Sequence, residues 1–79
     1  MPEKIDVISM FRDRTVRPVR FRYAGRTYQV ERLLYTWVTR EGSFPVHHFA
    51  VETDAGDRRE LSLNTYTLAW TLNNGSGGD

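Results

Sequence analysis

The stretch from Val19 to Val38 constrains the fold of this chain more than any other part of its sequence. Phe21 and Tyr23 alternate in it with Arg20 and Arg22, so the two sets fall on opposite sides of a strand. A period of two is typical of a β-strand that buries one face. The alternation therefore predicts a β-hairpin with one aromatic face and one face rich in arginine.

The register of this hairpin follows from the same pattern. A turn at Ala24-Gly25 pairs Phe21 with Tyr28 and brings the apolar residues of the hairpin to one face. A slip by one residue would mix the two faces, so the pattern favours this register. A two-residue loop fits it, although alanine does not favour the positive φ that a type I′ turn needs. A four-residue loop over residues 23–26 keeps the same parity and is the alternative.

The third strand is expected to be long and to change its alternation midway. Tyr28 and Val30 have one parity, whereas Leu33, Tyr35 and Trp37 have the other. A β-bulge inserts one extra residue, so a bulge near residues 31–33 would bring the second set back to the core face. Long, bent strands are how small barrels turn their corners.

Four further strands are predicted from runs of β-forming residues separated by turn residues. They cover residues 5–11, 46–53, 61–63 and 66–72, with turns at residues 13–15, 41–43 and 54–57 and a turn or kink at residues 64–65. A short helix is the alternative for residues 5–11, because both faces of that segment are partly apolar. Pairing Val51 with Leu61 aligns the apolar residues of the fourth and fifth strands, but it places Glu52 opposite Glu60. Residues 73–79 are rich in Gly, Ser and Asn and are expected to be disordered.

Six short strands without a convincing helix predict an all-β fold. We expect a single small antiparallel barrel of five to six strands over residues 1–72, SH3-like or OB-like in topology. Closure would also protect strand edges that so short a sheet exposes. The 79 residues contain no internal repeat and no sign of a second domain.

The composition limits the class of protein further. The sequence contains no cysteine, so no disulfide can form, and a cytoplasmic location is expected. It lacks the run of about 18 apolar residues that a transmembrane helix needs. It also lacks the apolar segment of a secretion signal. We therefore expect no membrane partner.

Charge is distributed unevenly along the chain, although the net charge is only +1. Residues 1–40 contain nine basic and four acidic residues, whereas residues 41–79 contain two basic and six acidic ones. Ten of the eleven basic residues are arginine, which suits phosphates, planar acceptors and aromatic stacking. The asymmetry indicates either a basic face for an anionic partner or pairing of opposite charges across strands within the chain.

No residues in the sequence have the pattern of a catalytic or metal centre. His47 and His48 are adjacent, and adjacent strand residues point to opposite faces, so a regular strand cannot direct both at one metal ion. The serines lack the context of a nucleophile motif, and the isolated glycines form no phosphate-binding loop. We predict a non-enzymatic protein with no catalytic residues, no metal and no small-molecule cofactor.

The arginine face of the hairpin is the best candidate for a functional site. Basic grooves with interleaved aromatic side chains suit single-stranded nucleic acid, through phosphate contacts and base stacking. Most of these aromatic residues are also needed for so small a core, and a core ring cannot stack on a base. The candidate nucleic-acid-binding residues are Arg17, Arg20, Arg22, Arg26, Tyr23 and Tyr35.

A pattern over about residues 17–72 resembles a group of small uncharacterised bacterial all-β domains. It consists of Phe21-x-Tyr23-x-Gly25-x-x-Tyr28-x-Val30, Leu34-x-x-Trp37, Phe49-x-Val51-Glu52 and Trp70-x-Leu72. These are mostly core and turn positions, so the resemblance implies a fold and carries over no catalytic residue. Some related-looking domains accompany DNA-repair polymerases, which by analogy raises the case for nucleic acid.

The expected function is that of a non-enzymatic binding module. Its partner would be another protein or a second copy of the chain, contacted through a sheet edge or the arginine-rich face. The alternative is an accessory nucleic-acid-binding domain that uses the arginine-rich face of the hairpin.

Overall fold

The computed structural model of the protein describes residues 2–73, which form six β-strands. They are β1 (Pro2–Arg12), β2 (Thr15–Tyr23), β3 (Arg26–Glu41), β4 (Phe44–Thr53), β5 (Arg58–Asn64) and β6 (Ala69–Asn73). Each strand pairs antiparallel with the next, and β1 pairs with β6 to close a barrel. The predicted all-β fold and small antiparallel barrel are confirmed. The sequential strand order is that of an up-and-down barrel and differs from the Greek-key order of an OB-fold.

The core lies inside the barrel and takes alternate residues from the strands. Val51, Leu61 and Leu72 are fully buried, and Phe21 stacks on Tyr28 with ring centroids 5.1 Å apart. Successive residues of a strand point to opposite faces, so the polar residues between these positions reach the surface. No helix in residues 2–73 is long and apolar enough to cross a membrane.

The hairpin of β2 and β3 has the predicted register. Phe21 pairs with Tyr28, and Tyr23 pairs with Arg26. The loop has two residues and not four, since Tyr23 and Arg26 are already paired. Its residues Ala24 and Gly25 both have positive φ, 54° and 78°. A left-handed conformation costs a residue with a Cβ about 1–2 kcal/mol, so the turn keeps an unfavourable residue at its first central position.

Two β-bulges bend β3 along its pairing with β4. They lie between Val30 and Arg32 and between Leu33 and Tyr35, and the first occurs where the change of alternation predicted it. The second reverses the parity again, so Trp37 pairs with His48 on the outer face of the barrel. The prediction that Leu33, Tyr35 and Trp37 all face the core is therefore wrong for Tyr35 and Trp37.

The predicted register of β4 and β5 is wrong by two residues. Phe49 pairs with Leu61, and Glu52 lies opposite Arg58 instead of Glu60. A compact turn fixes this register, since the Thr53 N–H donates a hydrogen bond of 2.9 Å to the backbone oxygen of Asp57. The observed pairing removes the repulsion that two opposed glutamates would cause.

The last strand is shorter than residues 66–72, because residues 65–68 form a turn. Asn64 Oδ1 accepts hydrogen bonds from the backbone N–H groups of Tyr66 and Thr67, at 2.8 and 3.1 Å. Leu68 adopts a positive φ of 61°. Tyr66 and Leu68 are consequently exposed instead of facing the core. Of the tail expected to be disordered, Asn73 ends β6, and residues 74–79 lie outside the described residues.

Replacing Ala24 with asparagine is expected to stabilise the protein by up to about 1 kcal/mol, because asparagine tolerates positive φ better than alanine. Urea unfolding measures the change in the free energy of unfolding. Ala55→Asn is the matched control, since Ala55 is an exposed turn residue whose φ is not positive. An equal gain in both variants would show that the backbone conformation of Ala24 is not the cause.

Candidate binding surfaces

The hairpin of β1 and β2 parts from the rest of the barrel at one end. β2 pairs with β3 only through residues 20–23 and 26–29, although β2 begins at Thr15 and β3 continues to Glu41. Within residues 2–73, no strand pairs with the second edge of β2 over residues 15–19 or with that of β3 over residues 30–41. We call the gap between these two edges the seam.

The sequence explains why the strands diverge here. The bulges that follow Val30 bend β3 away from its first partner. On the other side of the gap, Pro18 has no N–H to donate to a ladder. Pro18 lies where the pairing of β2 with β1 shifts, between Ile8 and Ser9. Strands that are paired beside their turn therefore separate further along.

A cleft of about 570 Å³ lies between the end of the β1–β2 hairpin and the inner face of β3, β4 and β5. Phe49 and Leu63 line it from the sheet and are buried, whereas Met10 and Phe11 line it from the hairpin and are exposed. Its volume is within the range of ligand pockets in proteins. The cleft thus combines an apolar floor with an open mouth.

Three exposed arginines line the cleft, namely Arg12, Arg14 and Arg17. Asp13 lies between the first two in the turn, where it and Arg14 both have positive φ. None of the three arginines forms a salt bridge with another residue in the range 3–73. Their charges are therefore available to the carboxylates or phosphates of a partner.

Arg20 and Arg22 lie on one exposed face of β2, as the alternation predicted. Arg22 pairs across strands with Asp6, and Arg20 with the exposed side chain of Ile8. Neither arginine forms a salt bridge within the described part of the chain. This surface points outward from the barrel, and its two arginines do not line the cleft.

Tyr23 and Arg26 lie beside the turn of the β2–β3 hairpin, among other rings and cations. The guanidinium carbon of Arg26 is 4.9 Å from the ring centroid of Tyr28, and that of Arg59 is 5.8 Å from the rings of both Tyr23 and Tyr28. Cation–π contacts of this kind occupy the faces of the tyrosine rings. Tyr23 and Arg26 are therefore part of the packing at this end of the barrel.

Tyr35 belongs to a separate row of aromatic side chains on the outer face of β3 and β4. Its ring centroid lies 5.3 Å from that of Trp37, which in turn stacks on His48 at 5.1 Å. Arg58 donates a hydrogen bond to the Tyr35 hydroxyl and packs over its ring. The six predicted site residues therefore lie on several distinct surfaces instead of forming one site.

His48 is held by hydroxyl groups at both ring nitrogens. Thr39 Oγ1 lies 2.7 Å from Nε2, and Ser62 Oγ lies 2.8 Å from Nδ1. A serine beside a histidine is one element of nucleophilic catalysis, but within residues 3–73 no carboxylate hydrogen-bonds this ring. The contacts are those of cross-strand neighbours, which fix the outer face of the sheet.

The two adjacent histidines face opposite ways, as predicted. His47 lines the cleft, whereas His48 stacks on Trp37 outside the barrel. Among residues 3–73, no group of three His, Cys, Asp or Glu side chains is placed to hold a metal ion.

Sequence reasoning missed the cleft and the two arginines, Arg12 and Arg14, that line it beside Arg17. Alternation identifies the two faces of a strand, but it does not show where paired strands separate. The only signals were Pro18 and the change of parity after Val30.

One arginine of the basic half does pair with the acidic half of the chain. Arg32 Nε lies 3.0 Å from Glu52 Oε1, and their side chains are 71% and 39% exposed. An ion pair this exposed contributes little to stability. Pairing within the chain therefore accounts for Arg32 but not for the arginines of the β1–β2 hairpin.

Comparison of the chain with protein-family models, with curated proteins and with solved structures found no match. The resemblance to small bacterial domains stays a prediction, as does the link to nucleic acid that it implied.

Asp57 connects the β4–β5 turn to the rings beside Tyr23. The Thr53 hydroxyl donates a hydrogen bond to its carboxylate, and Arg59 Nη2 lies 3.0 Å from Oδ2. The hydrogen bond from Thr53 and the charge of Arg59 together outweigh the effect of burial and hold the pKa of Asp57 below its ordinary value of 3.8.

Asp57→Asn is expected to lower the free energy of unfolding most at neutral pH. The pKa is lower in the folded state, so the stabilisation is complete above the unfolded value of 3.8 and is lost as the pH falls through the folded value. Urea unfolding at pH 7 and pH 3 measures the difference from wild type, with Asp6→Asn as an exposed control. A loss for Asp57→Asn that is equal at both pH values would contradict this linkage.

Proposed function

We propose that the protein is a non-enzymatic binding module that takes up an extended segment of a partner protein at the seam. The observation that carries the proposal is the free edge of β3 over residues 30–41 beside the apolar cleft. In an antiparallel pair, N–H and C=O groups that are not directed at the partner strand are directed at the opposite edge. β3 therefore offers backbone donors and acceptors to an incoming strand.

Exposed apolar side chains next to the seam support the proposal. Met10, Phe11, Leu34 and Val38 are between 38% and 73% exposed. Apolar groups that cluster on the surface of a small domain are typical of interaction sites. A strand added to β3 would cover its backbone edge and several of these side chains together.

A second copy of the chain is the other form of this proposal, because the free edge of one β3 can pair with that of another. Sedimentation across a concentration series separates the two forms. A protein that stays monomeric at every concentration excludes self-association and leaves a different chain as the partner.

Strand addition is tested with two soluble probes, decapeptides that alternate apolar residues with either glutamate or lysine. We expect at least one of them to shift the backbone amide resonances of residues 15–19 and 30–41 in the full-length labelled protein. A matched peptide with N-methyl groups on alternate amides keeps the side chains but loses backbone donors, so its binding should be at least tenfold weaker. Absence of shifts in both segments at millimolar concentrations of both peptides would refute the proposal.

The alternative function, accessory binding of nucleic acid, is favoured by one specific observation. Arg20 and Arg22 are exposed, lie on the same face of β2 and form no salt bridge within residues 3–73. Arginines that are not neutralised by their own protein are suited to phosphate contacts.

If the protein binds single-stranded nucleic acid through this face, its affinity should fall steeply with salt. Replacing Arg20 and Arg22 by alanine should then reduce the log–log salt slope by about 1.4, the value for two lost phosphate contacts. Fluorescence anisotropy with labelled DNA and RNA 20-mers measures the slope. Arg32→Ala with Arg58→Ala is the control, because both arginines already have partners in the chain. If neither nucleic acid binds at low salt, this alternative is excluded.

A further inference from the structure

The chemistry of the cleft defines the kind of segment that fits the seam. We infer that it is acidic, with apolar side chains at alternate positions that enter the cleft and carboxylates beside them that meet Arg12, Arg14 and Arg17. This inference rests on the proposed function and adds the chemical class of the partner to it.

The charge at the mouth of the cleft is the first support. Among the charged residues that line it, three are arginines and one is an aspartate, Asp13. The three arginines are exposed and have no salt-bridge partner within the described residues. Guanidinium groups form their strongest hydrogen bonds with carboxylates and phosphates, often in pairs. An anionic partner would neutralise this surface, whereas a cationic one would be repelled.

The floor of the cleft favours a polypeptide over a nucleic acid as the source of that negative charge. Phe49 and Leu63 are only 4% and 9% exposed, so neither presents a free face. Single-stranded nucleic acids gain affinity from aromatic rings on which successive bases can stack. Of the two phenylalanines that line the cleft, only Phe11 is exposed. An apolar side chain, by contrast, needs no free ring face, because it gains by removing its own surface and the exposed side chains of Met10 and Phe11 from water.

The geometry of an added strand fits both features. Side chains of a strand alternate between two faces, so every second residue on the β3 edge would point to the inner side of the sheet. Thr36 of β3 already lines the cleft on that side. The intervening residues would point to the outer side of the sheet, and the three arginines that we infer to meet them are exposed.

Three carboxylates of the acidic half have partners elsewhere and do not meet this charge. Glu52 pairs with Arg32, and Asp57 pairs with Arg59. Asp54 Oδ1 accepts a hydrogen bond from the backbone N–H of Gln29 at 3.2 Å. Within residues 3–73, no carboxylate forms a salt bridge with Arg12, Arg14 or Arg17, and an external acidic segment would supply one.

The glutamate and lysine decapeptides described above test the inference when their affinities are compared at 50 mM salt by anisotropy. We expect the glutamate peptide to bind at least tenfold more tightly than the lysine peptide. Arg14→Glu with Arg17→Glu should weaken binding of the glutamate peptide at least tenfold and strengthen that of the lysine peptide.

Arg20→Glu with Arg22→Glu is the matched control, since it makes the same change in net charge on exposed residues that do not line the cleft. It should change the affinity no more than threefold. The urea midpoint of each variant shows whether the fold is retained, and the wild-type comparison of the two peptides does not depend on any variant.

The outcomes separate this inference from the proposed function. Equal binding of the two peptides at the seam would overturn the acidic preference and leave strand addition intact. Failure of both peptides to shift the seam amides would overturn both. Shifts of residues 12–17 with a DNA 20-mer but with neither peptide would assign the cleft to nucleic acid. A dimer that is abolished by Arg14→Glu with Arg17→Glu, without peptide binding, would assign it to a second copy of the chain.

Discussion

The bend of β3 determines both how the barrel closes and where it stays open. A straight strand of 16 residues would be about 50 Å long at roughly 3.3 Å per residue. The longest dimension of the domain is 35 Å, so β3 has to bend to remain on the barrel. Its two bulges provide the bend, and they begin directly after the pairing with β2 ends. Closure of the sheet and the seam therefore have the same physical cause.

The size of the domain makes its exposed apolar residues costly. A chain of 79 residues without disulfides buries a small core and has little stability to spare. Met10 and Phe11 are nevertheless exposed at the end of a hairpin. These side chains add nothing to the core, and their exposure increases the tendency to aggregate. Their exposure is best explained if they belong to a binding surface. Their position beside the free edge of β3 connects that surface with strand addition.

The features that could be predicted from the sequence depend on residues close to each other in the chain. The pairing of Phe21 with Tyr28 follows from alternation on both sides of one short turn. The first bulge of β3 was visible as a change of parity. The second was not, because Tyr35 and Trp37 are apolar enough for the core and only the tertiary pairing places them outside.

The prediction of the β4–β5 register was wrong for a different reason. Apolar matching of Val51 with Leu61 was used as the criterion, whereas the hydrogen bond that closes the turn at Asp57 decides the pairing. The predicted register placed Glu52 opposite Glu60, and this repulsion already indicated that apolar matching alone does not determine the pairing. For the candidate site, exposure of Arg20 and Arg22 followed from alternation, whereas Arg17 has the parity of Phe21 and is exposed because the pairing of β2 with β1 shifts beside Pro18. Alternation did not predict that Arg17 lines the cleft while Arg20 and Arg22 lie on the outer face, because this depends on where two strands separate.

Strand order explains why the hairpin arginines form no salt bridge within residues 3–73, whereas Arg32 pairs with Glu52. In an up-and-down barrel β2 pairs only with β1 and β3, so the acidic residues of β4 and β5 are not its cross-strand neighbours. β1 closes against β6, whose five residues include no acidic side chain. Cross-strand pairing therefore does not bring the acidic second half of the chain to its first hairpin in this topology. The unpaired positive charge of that hairpin is thus a consequence of the strand order, and the proposed acidic partner would neutralise the part of it that lies at the cleft.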